Sequence, residues 1–247
     1  MQFECQRKSN GLPILSKMDI EIIATKVLKE FAPMNLECPL PFKTTSFLED
    51  YHQLVIKNKY IGTFESGILG LTVMGEEARI PTFDEMYRPV VETEYYGTVY
   101  ISPSLMGRDN LPRRRYTEAH EGSHKLLHQE YFDNLAKTSC GENKQYVACR
   151  SVELYNPKNN TDHDWMEWHA DSLAAALLMP RDVFYDFVRS EIRKAGISCG
   201  YLVKGQQRDK RVFNEIVDEI AKRFHVSHKA TQIRMAHVGL IKTNPWY

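Results

Sequence analysis

Apolar residues recur at helical spacing in four stretches of the chain, and this periodicity predicts helices with one or more buried faces. The predicted helices cover residues 18–33, 112–129, 165–180 and 180–195. Prolines mark their ends: Pro33 ends the first helix, Pro112 lies in the first turn of the second, and Pro180 ends the third. Proline suits a first turn because the N–H that it lacks would have no partner inside the helix.

Two segments have the aromatic and β-branched residues, next to glycines, that are typical of β-strands. They are residues 66–75 and 97–102, and residues 146–152 are a further strand candidate. Residues 44–59 fit either a helix or an irregular, turn-rich stretch, and residues 81–96 are polar and ambiguous.

The order of these elements predicts the fold class. Strands come before most of the helices, which indicates a mixed α+β core with a helical C-terminal part. We place the core at residues 1–197 and the helical subdomain at residues 198–247, with residues 196–209 as a linker. Within the subdomain, residues 211–224 and 228–238 are predicted to form two short helices.

Composition narrows the class of protein. The 32 Lys and Arg residues balance the 32 Asp and Glu residues, so net charge does not point to a nucleic-acid or membrane partner. The first residues lack a signal peptide's apolar core, and no apolar run approaches the roughly 18 residues that a membrane span needs. The five cysteines are an odd number and are scattered, at Cys5, Cys38, Cys140, Cys149 and Cys199. We therefore expect reduced thiols and a cytoplasmic protein.

Candidate chemistry lies in the sequence AHEGSHKLLH, residues 119–128, which contains the HExxH pattern. Residues four apart share one face of a helix, so His120 and His124 are suited to hold one zinc ion through neutral imidazole nitrogens. Glu121 lies about 100° further around the helix. It would be too far round to bind the metal, but well placed to accept a proton from a water that the metal activates. The pattern favours a metal site with Glu121 as the general base.

Catalytic zinc usually has three protein ligands, and the next predicted helix, residues 165–180, offers the third. Glu167 is the preferred ligand, and Asp171 lies four residues later on the same face. A carboxylate in that second position can accept a hydrogen bond from the far nitrogen of a ligating histidine. His163, His169 and His128 stay open as alternative ligands, although we interpret His128 as a supporting residue.

Three segments together resemble the ImmA/IrrE family of metallopeptidases. They are GTVYISPSL (residues 97–105), RRRYTEAHEGSHKLLH (residues 113–128) and MEWHADSLAAALLMP (residues 166–180), and the resemblance extends over roughly residues 15–180. It implies a zincin-like core, a small mixed sheet with active-site helices, similar to that of thermolysin-type enzymes. It also implies that His120, His124 and Glu167 bind Zn²⁺ and that Glu121 is the catalytic base.

The resemblance implies a substrate class as well. Members of this family typically cleave helix-turn-helix repressors and so activate stress or mobile-element genes, which makes a repressor the expected protein partner. We expect the strand at residues 97–102 to lie beside the cleft and to accept an extended substrate as an added strand. One departure from the family pattern is Glu118, where an apolar or small residue is usual.

Residues 211–241 leave two interpretations open. Within them, residues 220–241 resemble a helix-turn-helix, in which the second helix reads the major groove of DNA. Their basic residues do not form a dense cluster, so we favour a helical cap or a substrate-holding surface over direct DNA binding. The alternative to a peptidase is a regulatory protein that binds a repressor or DNA without proteolysis.

Overall fold

The computed structural model describes residues 4–62, 66–138, 145–150, 161–203 and 210–242, with only the backbone described at residues 149, 150 and 210. Cys140 and the side chain of Cys149 lie outside the described residues, while Cys5, Cys38 and Cys199 are free cysteines. The chain divides into two units: Met1–Ile23 with Lys43–Ala174, and Ala24–Phe42 with Ala175–Tyr247. The predicted boundary after residue 197 falls inside the second unit and stays a prediction.

The helices lie close to where apolar periodicity predicts them. They are α1 (Lys17–Phe31), α2 (Thr44–Ser46), α3 (Leu111–Thr138), α4 (Asp162–Leu178), α5 (Arg181–Lys194), α6 (Lys210–Phe224) and α7 (His228–His237). A π-helical turn, Phe47–Tyr51, continues α2, and short 3-10 turns occur at Pro33–Leu36, Pro103–Leu105 and Arg108–Asn110. Helix α3 continues to Thr138 instead of ending near residue 129. None of the helices in the described ranges is long and apolar enough to cross a membrane.

Within the described residues the strands form three small sheets, so the fold is mixed α+β as predicted. Strands β1 (Val55–Asn58), β2 (Ile68–Val73), β5 (Thr98–Ile101) and β6 (Tyr146–Arg150) form one sheet in the order β1-β5-β2-β6. Strand β1 is parallel to β5, and the other pairs are antiparallel. Strands β3 (Glu77–Phe83) and β4 (Pro89–Tyr95) form a hairpin, and β7 (Leu202–Val203) pairs with β8 (Ile241–Lys242).

One expectation about the sheet is wrong. Strand β5, within the predicted strand 97–102, pairs with β1 on one side and with β2 on the other. Its backbone N–H and C=O groups are therefore already used on both edges, and it cannot accept a substrate as an added strand. Among the described strands of this sheet, β1 and β6 lie at the edges.

The two faces of this sheet have different neighbours. Strand register places Gly70 and Thr72 of β2 on the same face as Val99 and Ile101 of β5, and β2 and β5 both contact α3. The opposite face carries Leu71 and Tyr100, which pack with Ile61, Val73, Ala78 and Ile80 beside the hairpin. Strand β2 therefore presents a glycine and a threonine towards the helix with the HExxH sequence.

Helix α3 is also covered by the turn at residues 44–51. Glu118, the departure from the family pattern, is 1% exposed and accepts hydrogen bonds from Thr44 Oγ1 at 2.6 Å and Arg114 Nε at 2.8 Å. A side chain at Gly122 would place its Cβ 2.5 Å from Cε1 of Phe47. The buried carboxylate and the missing side chain thus let this turn pack directly against α3.

The second unit contains the helices predicted for residues 211–224 and 228–238. The ring of Phe224 on α6 lies 5.5 Å from that of Phe184 on α5. On α7, Arg234 is 1% exposed, and its Nε donates a hydrogen bond to the carbonyl oxygen of Met179 at 3.0 Å. Arg234, a basic residue in the stretch that resembles a helix-turn-helix, is therefore buried and unable to reach DNA in this conformation.

Candidate metal centre

Helices α3 and α4 bring three predicted ligands together. His120 and His124 on α3 and Glu167 on α4 form a group in which one ligand atom from each residue lies within 4.8 Å of the others. All three are buried, at 1%, 0% and 8% exposure. Helix α4 begins with a reciprocal cap, because Asp164 N–H donates to Thr161 Oγ1 and Thr161 N–H donates to Asp164 Oδ2. This cap fixes the first turn of the helix, directly before Glu167.

The donor atoms converge on one another. Nε2 of His120 and Nε2 of His124 are 2.8 Å apart. The Glu167 oxygens lie 3.3 Å from His124 Nε2 and 3.5 Å from His120 Nε2. Two imidazole nitrogens and one carboxylate oxygen are a donor set that binds Zn²⁺ and other divalent transition metals. The buried group could therefore bind a metal ion, and its geometry does not by itself select zinc.

Electrostatics favours the ligand forms of these groups. Burial lowers the pKa of His124, which keeps the imidazole neutral. Burial acts to raise the pKa of Glu167, but the neighbouring His124 and His120 outweigh it and hold that pKa below its ordinary value. Neutral imidazole and ionised carboxylate are the forms that bind a metal.

Asp171 lies where the sequence predicts it, beside the far nitrogen of a candidate ligand. Its Oδ1 is 2.9 Å from Nδ1 of His120. The hydroxyl of Tyr116 donates a hydrogen bond to the same oxygen at 3.1 Å. Sequence reasoning missed Tyr116, although its position four residues before His120 placed it on the same helix face. With Nδ1–H of His120 donating to Asp171, the Nε2 lone pair is left for a metal.

The three alternative ligands are not part of this group. His163 Nε2 is 4.0 Å from Glu167 Oε1, but its side chain is 62% exposed. His128 lies behind His124, with 3.0 Å between their Nδ1 atoms, and His169 Nδ1 is 3.3 Å from His128 Nε2. Burial lowers the pKa of His128 well below its ordinary value and that of His169 to about 4, so both are neutral.

Glu121 points from α3 towards the sheet and does not belong to the candidate ligand set. It is fully buried, and its Oε2 accepts a hydrogen bond from Thr72 Oγ1 at 2.6 Å. A Cβ at Gly70 would overlap Oε1 of the same carboxyl group. Burial raises the pKa of Glu121 to about 8, although His120 and Thr72 act in the opposite direction.

Sequence reasoning did not identify Thr72 or Gly70 as part of the site. Both lie in β2, and only the packing of this strand against α3 brings them to Glu121. Comparison with known proteins adds no assignment: no protein-family model matches the chain, and no curated protein matches it significantly.

Proposed function

We propose that the protein is a zinc-dependent endopeptidase with a zincin-like core. The observation that carries the proposal is the arrangement of the HExxH residues. His120 and His124 converge with Glu167 in a buried group, while the intervening Glu121 lies outside that group. A site that only binds a structural metal needs no carboxyl group beside it, whereas hydrolysis needs a base next to the metal.

In this proposal, each residue of the site has a separate role. His120, His124 and Glu167 would hold the zinc, and Asp171 would keep the His120 ring oriented through Nδ1. When bound, zinc would polarise the substrate carbonyl and make water easier to deprotonate. Glu121 would accept the proton of the attacking water and deliver it to the amine nitrogen as the peptide bond breaks. A carboxyl with a raised pKa suits both steps, because it can accept and then release the proton near neutral pH.

We infer the substrate class from the resemblance to the ImmA/IrrE family. The proposed substrate is a helix-turn-helix repressor, whose cleavage would change transcription of the genes that it controls. The helices α6 and α7 would then act as a cap or a surface that holds the substrate. The burial of Arg234 favours this role over direct DNA binding.

Two measurements test the proposal. The zinc-loaded protein is incubated with a proteome-derived peptide library and with the repressor encoded nearest to its gene, and the products are identified by mass spectrometry. We expect new termini at defined bonds with the parent protein and none with the Glu121→Gln variant, which retains the ligands. Metal analysis should give close to one zinc per chain for both proteins, and His124→Ala should lose it.

The outcomes separate the proposed function from its main alternative. A zinc-loaded parent that binds the repressor and leaves it intact would indicate a regulatory binding protein. Cleavage by Glu121→Gln at the parent's rate would refute Glu121 as the base. A parent protein that takes up no metal under any loading condition would refute the site itself.

A further inference from the structure

Four buried imidazoles form a continuous line from the candidate metal group into the protein. His120, His124 and His128 follow each other on α3 at steps of four residues, and His169 on α4 completes the line. Each of them is no more than 1% exposed. His124 and His128 face each other through their Nδ1 atoms at 3.0 Å, and His128 Nε2 lies 3.3 Å from His169 Nδ1. The proposed function uses only the first two.

The chemistry of neutral imidazole restricts this line to two arrangements. Each ring has one N–H donor and one nitrogen lone pair. If both hydrogen bonds form, His169 donates to His128 and His128 donates to His124, or both bonds run the other way. In the first arrangement the proton of His124 is on Nε2. In the second it is on Nδ1, and the Nε2 lone pair is available.

Only the second arrangement is compatible with a metal on His124 Nε2, since a metal binds the lone pair. Without a metal, the first arrangement is favoured, because His124 Nε2–H can then donate to the lone pair of His120 Nε2, 2.8 Å away. The second arrangement also places a proton on His169 Nε2. That nitrogen is buried and has no hydrogen-bond partner in the part of the chain that the structure describes.

We propose that metal binding reverses the direction of the hydrogen bonds along His124, His128 and His169, and that His128 is the residue that positions His124 as a ligand. The proposal rests on the metal site of the proposed function and does not depend on peptide hydrolysis. His128 would do for His124 what Asp171 does for His120: accept the Nδ1 proton and so fix the ring and its tautomer. The series of hydrogen bonds between the imidazole rings ends at His169.

Nuclear magnetic resonance of ¹⁵N-histidine-labelled protein tests the reversal directly. In the metal-free protein, we expect His128 and His169 to carry their protons on Nδ1, and in the zinc-loaded protein on Nε2. His128→Asn and His169→Asn assign the two rings by removing their signals. A parent protein that binds zinc while both rings keep their tautomers would overturn the inference and leave the proposed function intact. Failure of the parent to bind zinc would overturn both.

Amide variants test the positioning role of His128. The side-chain oxygen of Asn occupies the place of Nδ1, and that of Gln occupies the place of Nε2. His128→Asn can therefore still accept the proton of His124, whereas His128→Gln and His128→Leu cannot. We expect His128→Asn to keep zinc affinity close to the parent's, and the other two variants to lose about 10- to 100-fold.

A purely structural role of His128 predicts a different result. In that case zinc affinity would follow the stability of the metal-free variants, which urea unfolding measures, and Asn and Gln would behave alike. Parental zinc affinity in a folded His128→Leu variant would overturn the positioning role. The tautomer measurement on the parent protein decides the question even if every His128 variant fails to fold.

Discussion

Gly70→Ala should disable the proposed base without touching a metal ligand. A Cβ at Gly70 would overlap Oε1 of Glu121 and lie 2.7 Å from Cγ2 of Thr117. Both neighbours are buried, at 0% and 2% exposure, so neither can move into solvent to make room. The methyl group must therefore displace the carboxyl group of Glu121, and with it the hydrogen bond from Thr72.

The size of the effect follows from these contacts. Overpacking a buried site costs about 1–3 kcal/mol, and a typical intramolecular hydrogen bond contributes about 0.5–1.5 kcal/mol. Because part of the strain is relieved when the carboxyl group moves, we expect the free energy of unfolding to fall by about 1–3 kcal/mol. Correctly placed general bases contribute about 10²- to 10⁴-fold to rate, so kcat/KM should fall at least about 10²-fold. Zinc affinity should stay near the parent's value.

The assay measures three quantities for each variant: zinc affinity, the urea midpoint of unfolding, and cleavage of a peptide that the zinc-loaded parent hydrolyses. Thr72→Val removes only the hydrogen bond and should give a smaller loss of activity. Thr98→Val is its matched control, because Thr98 is also buried in the sheet and bonds to Glu94 instead. Parental activity in Gly70→Ala would refute the reasoning. So would a loss of zinc in proportion to activity, because the effect would then act through the ligands.

Two further variants test packing and pH dependence. In Gly122→Ala, the new Cβ would lie 2.5 Å from a ring carbon of fully buried Phe47; overpacking of about 1–3 kcal/mol should exceed the roughly 1 kcal/mol gained in helix propensity. The urea midpoint of Gly122→Ala should therefore be lower than the parent's, and adding Phe47→Leu should restore part of the difference. A higher urea midpoint in Gly122→Ala than in the parent would contradict the contact. Burial lowers the pKa of His52 from 6.5 to about 3, so the unfolded chain takes up this proton first and stability falls as pH drops between those values. In His52→Phe, the free energy of unfolding should fall less steeply with pH than in the parent, by up to about 1.4 kcal/mol per pH unit. If variant and parent lose the same stability between pH 7 and pH 5 in thermal melting, the reasoning is refuted.

The sequence predicts best the features that depend on spacing within one helix. His120, His124, Glu167 and Asp171 could be chosen because residues four apart share a helix face, whatever the helix packs against. Gly70 could not be chosen, because its role depends on which strand faces α3 and in which register. That information is distributed over the whole sheet, and the sequence of β2 shows only a strand with a glycine in it.

The same contrast, between features set within one element and features set by packing between elements, applies to the secondary structure. Helices with a sustained periodicity were predicted to within a few residues at most ends, apart from the extension of α3. Strand β1, with the sequence VIKN, was missed because four residues are too short to show alternation and follow a helical turn. The hairpin was left ambiguous because its strands are polar along one face, although Ala78, Ile80 and Thr82 alternate as buried positions. Partner strands, not local propensity, define these elements.

Helix α3 explains why the site has so many polar neighbours. Eight consecutive residues of this helix, 117–124, are buried, and most of them are polar. A buried polar group is costly unless it has a partner. The hydroxyl groups of Thr117 and Ser123 donate to backbone carbonyls within α3, whereas three larger side chains have partners on other elements. Glu118 has Thr44, His120 has Asp171, and Glu121 has Thr72.

Half of the exceptions to this pairing belong to the proposed site and the imidazole line. Among the residues that the structure describes, six buried side-chain atoms have no hydrogen-bond partner, and three of them belong to Glu121, Glu167 and His169. A fold selected for stability alone would have replaced these groups or paired them. Glu167 belongs to the candidate metal group, and Glu121 is the proposed base that follows His120 in the chain. Under the proposed function, the unpaired oxygen of Glu167 would be free to bind the metal and that of Glu121 to accept the proton of water, while the unpaired nitrogen of His169 marks the inner end of the imidazole line.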